Sequence, residues 1–69
     1  MMEFRVIYFS ENNNIIRQFT WSSPVPIFLM PSIGDIVAIG LKSYIVRARI
    51  WEIDPLITVV MIHLDLNRL

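Results

Sequence analysis

The chain has no cysteine, which excludes disulfides and any thiolate metal site. Its single histidine, His63, cannot anchor a multi-histidine centre. Neither sign of charge prevails, since six basic residues balance six acidic ones. A zero formal charge leaves no basic footprint of the kind that nucleic-acid binding normally requires. No apolar run approaches the ~18–20 residues needed to span a bilayer, so no membrane partner is expected. The opening "MMEFRVIYFSEN" is too short and too interrupted by charge for a signal peptide. Together these absences predict a cytoplasmic, soluble chain with no cofactor and no metal.

What is present points to association. With 69 residues, the expectation is one domain over residues 1–69, with a marginal core. Hydrophobic residues make up 55% of the chain, above the ~45–50% of ordinary soluble domains, and charged residues only 17%. So small an interior cannot hold all of that apolar material, and a contiguous exposed patch usually marks an interface. The plainer alternative is a tight core with apolar residues scattered singly outside it.

Alternation along the chain predicts strands. Glu3–Phe9 is aromatic and β-branched, and the polar run Ser10 to Asn14 supplies a turn into Ile15–Trp21. Ile36–Ile39 forms a short strand, and Gly40-Leu41-Lys42-Ser43 a tight turn. Ser43 to Ile53 alternates with period two, Asp54-Pro55 breaks the run, and Leu56 to Leu66 alternates again. Five short strands predict an all-β fold, either a small five-stranded barrel or a strongly bent antiparallel meander.

The hydrophobic pattern also suggests how the last two strands meet. Pairing Ile50 with Val60, Ala48 with Ile62 and Val46 with Leu64 makes an apolar inner face of those six residues. Arg49 then faces Met61, Arg47 faces His63 and Ile45 faces Asp65. A slip of one residue would mix arginines into that face, so an odd-length loop or a bulge is expected near Asp54-Pro55-Leu56.

Catalytic groups are sparse. Among Glu3, Glu11, Asp35, Glu52, Asp54, Asp65 and His63, only His63 and Asp65 share one strand face, roughly 7 Å apart by strand rise. No nucleophile stands beside them, and a solvated strand edge explains them as well, so no enzyme activity is expected. Arg47, Arg49 and Trp51, with Met61 and His63 beside them, make a stronger candidate site. Arginine and tryptophan are enriched at interaction hot spots. The same arrangement could grip single-stranded nucleic acid by stacking and phosphate contacts. Cross-strand pairing of these arginines with acidic residues is the structural alternative.

A second candidate is the segment "SSPVPIFLMP". Pro24, Pro26 and Pro31 hold it extended, yet Ile27, Phe28, Leu29 and Met30 form an unbroken apolar run. Two roles are open: a lid over one barrel end, or a docking element for a partner chain.

"PSIGDIVAIGLKSYIVRARIWE", spanning Pro31 to Glu52, resembles the pattern of small SH3-like β-barrels, among them short phage and bacterial proteins. A proline and Gly34-Asp35 precede a strand, a tight turn follows, and Tyr44-x-Val46 runs on to an aromatic residue. The resemblance implies a barrel and a small phage or mobile-element protein, and it implies no activity. The functional expectation is a non-enzymatic interaction module joining a protein partner or itself as a homo-oligomer. A nucleic-acid-binding barrel is the alternative.

Overall fold

The computed structural model describes residues 3–21 and 30–68. The fold is all-β: β1 (Glu3–Phe9), β2 (Ile15–Trp21), β3 (Ile36–Ile39), β4 (Lys42–Ile53) and β5 (Ile57–Leu66). They form one sheet in the order β2-β1-β5-β4-β3, strongly curled into a half-barrel. Three of the contacts are antiparallel, whereas β1 runs parallel to β5. That parallel pairing makes β5 the central strand. Its side chains alternate between buried and half-buried from Ile57 to Leu64. Among the described residues, no helix is long and apolar enough to cross a membrane.

The core lies in the concavity of the curl. Val6, Val46, Val60, Ile62 and Leu64 are fully buried there, joined by Tyr44 and Met30. Phe4, Tyr8, Ile16, Val37, Ile39 and Leu66 pack around them. Burial of these side chains from three adjacent strands is what holds so small a sheet in a curl. Met30 therefore serves the protein's own interior. Ile27, Phe28 and Leu29 lie outside the described residues.

The register of β4 against β5 departs from the expected one. Val46 faces Leu64 and Ile45 faces Asp65, as the hydrophobic pattern predicts. Beyond them, however, Ala48 faces His63, Arg49 faces Ile62, Ile50 faces Met61 and Trp51 faces Val60. The expected pairs Ile50–Val60 and Ala48–Ile62 do not form. A bulge between Val46 and Ala48 inserts Arg47 as an extra residue and exchanges the two faces of the rest of the strand. The irregularity thus sits inside β4 and not at the hairpin loop. At the loop itself, the Asp54 N–H donates to the Ile57 carbonyl at 2.9 Å and closes a two-residue connection.

Two turns require glycine. In Ser32-Ile33-Gly34-Asp35, the Asp35 N–H donates to the Ser32 carbonyl at 3.0 Å and Gly34 takes φ 94°. Positive φ at the third position is the type II pattern. Gly40, at φ 64°, opens the two-residue connection from β3 to β4 in the type II′ manner. A Cβ at Gly34 would meet nothing within 4 Å, so the penalty for a side chain is purely conformational. Gly34→Ala is expected to cost about 1–2 kcal/mol, measured as a shift in the urea midpoint without a change in slope.

Candidate interaction face

The bulge decides which side chains share the outer, convex face of the sheet. Residues paired across strands point to the same side, so the ladder pairs define rows. Ile7, Met61 and Ile50 form one row across β1, β5 and β4. Phe9, His63 and Ala48 form the next. Val59 adds to the strip on one side; Ile45 and Ile36 lie toward β3 on the other. Ile36, Ile45 and Ile50 are exposed at 62%, 37% and 46%, while Ile7, Phe9, Val59 and Met61 are half-buried. With strands ~4.8 Å apart, Ile7, Met61 and Ile50 with Phe9 and Ala48 make one apolar patch, which the Arg47–Asp65 pair separates from Ile45 and Ile36. Ile33, Leu41 and Leu56, by contrast, are exposed at turns.

Two ion pairs and Glu52, which shares Val59's row, lie beside the apolar residues of this face. Arg5 reaches Glu3 at 3.2 Å at one end. Arg47 Nε donates to Asp65 Oδ1 at 3.1 Å at the other.

The expected Arg47–Arg49–Trp51 face does not assemble. Arg47 stays on the outer side with His63 and Met61, held by Asp65. Arg49 and Trp51 turn to the inner side, opposite Ile62 and Val60. There Arg49 Nη1 donates to the Pro31 carbonyl at 3.2 Å, which anchors the chain next to Met30. Trp51 sets its ring edge-on to Phe4, with centroids 6.0 Å apart. A stacking platform flanked by two arginines is thus divided between two faces.

His63 and Asp65 lie on the outer face but do not act as a pair. The imidazole stacks on Phe9 at 5.1 Å and 13°, while the Asp65 carboxylate is engaged by Arg47. This arrangement packs the imidazole and does not orient it for proton transfer. No group of three potential metal ligands occurs among the described residues.

The outer strip includes Ile7 and Phe9, which sequence reasoning did not single out, and Ala48 and Ile50, which it had assigned to the inner face. Part of the signal was available in β1, where Phe4, Val6 and Tyr8 alternate with Glu3, Arg5, Ile7 and Phe9, so that its second half is apolar on both sides. An apolar stretch on both sides of a strand calls for cover on both sides there. No protein-family model, curated protein or solved structure matches the chain.

Proposed function

We propose that this chain is a non-enzymatic protein–protein interaction module that self-associates through the outer face of its sheet. The observation that carries the reading is the outer-face set Ile7, Phe9, Ile45, Ala48, Ile50 and Met61, half-buried or exposed and with no second layer over it among the described residues. A sheet normally buries each apolar face against a second layer. The concave face has its own core; a second copy supplies the missing layer on the other side. Two such faces pack ~10 Å apart with their side chains interleaved. Zero net charge means that two copies do not repel, and Arg5 and Arg47 each keep an acidic partner within their own chain.

Size-exclusion chromatography with light scattering tests this reading. A dimer or larger closed assembly is expected at micromolar concentration. Met61→Lys places an ammonium at the middle of the strip, and leaving a charge buried without a partner costs about 3–5 kcal/mol. Self-affinity should therefore fall by a factor of ~100 or more, with the far-ultraviolet circular dichroism unchanged. A strict monomer in the parent chain, or an assembly indifferent to Met61→Lys, would reject the reading.

A further inference from the structure

Rows across β1, β5 and β4 make up the outer face, and two of them are lopsided. The row Arg5, Val59, Glu52 has a cation at its β1 end and an anion at its β4 end. The row Phe9, His63, Ala48 has a large ring at its β1 end and a single methyl at its β4 end. Between them, Ile7, Met61 and Ile50 are apolar throughout. A face whose flanks are opposite in charge and in size is complementary to itself when turned over about its middle strand.

The charged ends of the first row also have unused capacity. Arg5 Nη2 donates to Glu3 Oε1 at 3.2 Å, yet the Arg5 Nε is buried with no partner among the described residues. A buried donor without an acceptor is costly, so the guanidinium gains from a second carboxylate. Glu52 is exposed and has no ion pair or hydrogen bond among the described residues. The other carboxylates near this face are engaged: Asp65 by Arg47, and Glu11 by Arg68 and the Leu66 N–H.

We infer that two copies pair face to face about a two-fold axis running along β5. This rests on self-association through the outer face and fixes how the copies are turned. β1 of one copy then lies over β4 of the other, and each row lies over the same row of the second copy. Arg5 meets Glu52 of the second copy twice over, once on each flank. Its long side chain suits that place, because two convex sheets diverge away from the axis. Phe9 seats on Ala48 of the second copy, large against small, as interleaved layers require. Met61 meets its own counterpart at the centre. Beyond the Phe9 row each Asp65 carries its own Arg47, so the two carboxylates approach as neutral pairs. An axis across the strands would lay each strand over itself. Arg5 would then find only β1 and Glu52 only β4, whose Glu3 and Arg47 are already paired.

Charge reversal in the full chain tests the axis, with self-affinity read by light scattering. Arg5→Glu and Glu52→Arg each set like charges together on both flanks, and self-affinity should fall about tenfold or more. The double variant restores opposite charges at both places without changing the net charge, so its self-affinity should return close to the parent's. It should not mix with the parent, because a mixed pair again sets like charges together. Native mass spectrometry of isotope-labelled and unlabelled chains reads that mixing. Glu52 is exposed, so its variant keeps the fold, and circular dichroism checks both single variants. A parent that self-associates, with indifferent single variants, no rescue in the double variant or free mixing with it, would overturn the axis and leave the outer-face reading standing. A strictly monomeric parent would overturn both.

Discussion

Ile62→Ala is expected to cost about 2–5 kcal/mol, whereas Ile50→Ala should fall within about 0.5 kcal/mol for the isolated fold. Ile62 is 0% exposed at the centre of the core on the central strand. Removing its outer carbons leaves a cavity bordered by Val6, Val60 and Leu64, which cannot collapse without unpairing the sheet. At ~0.05–0.15 kcal/mol per residue, 69 residues give a total stability of about 3–10 kcal/mol. The alanine variant should therefore lose a large share of the total stability. Ile50 faces outward at 46% exposure, so its truncation opens no cavity. Urea titration under dilute, monomeric conditions checks both. Had β4 continued without a bulge, the two variants would be comparably damaging, because Ile50 would face Val60.

The second large effect concerns neighbouring single-residue deletions in β4. Deleting Arg47 joins the two registers, Val46–Leu64 and Ala48–His63, into one uninterrupted ladder. The loss is the half-exposed ion pair with Asp65, for which ~0–1 kcal/mol is typical. The fold should survive. Deleting Val46 instead brings Arg47 into the position opposite Leu64, or else pulls Tyr44 out of the core. Either outcome introduces an unpaired buried charge or a large cavity, and the chain should not fold. Thermal unfolding of the two deletion variants separates these outcomes. Equal destabilisation would contradict the assignment of Arg47 as the bulged residue.

These contrasts also show where the sequence stopped being legible. Glu3–Phe9 and Ile15–Trp21 were readable to the residue, because alternation and a polar turn are local properties. Val46, Val60, Ile62 and Leu64 were identified as interior for the same reason. Ala48 and Ile50 were not placed correctly, since SYIVRARIWEI reads equally well as one straight strand. The bulge is supported by partners distant in sequence: the Pro31 carbonyl for Arg49 and the Phe4 ring for Trp51. Both inward positions are unattractive until those partners are in place. The parallel β1–β5 contact is likewise non-local and leaves no periodic trace. Consequently the candidate Arg–Trp face was legible as composition but not as geometry.

Intermolecular nuclear Overhauser effects in a mixed sample tests self-association through the outer strip most directly. Chains labelled at isoleucine and methionine methyl groups are combined with unlabelled chains at a concentration where light scattering reports the assembly. Cross-peaks between copies are predicted at Ile7, Ile50 and Met61, and they should vanish in Met61→Lys. Contacts between copies confined to Ile53 and Leu56 at the hairpin tip, with none from the outer strip, would contradict it.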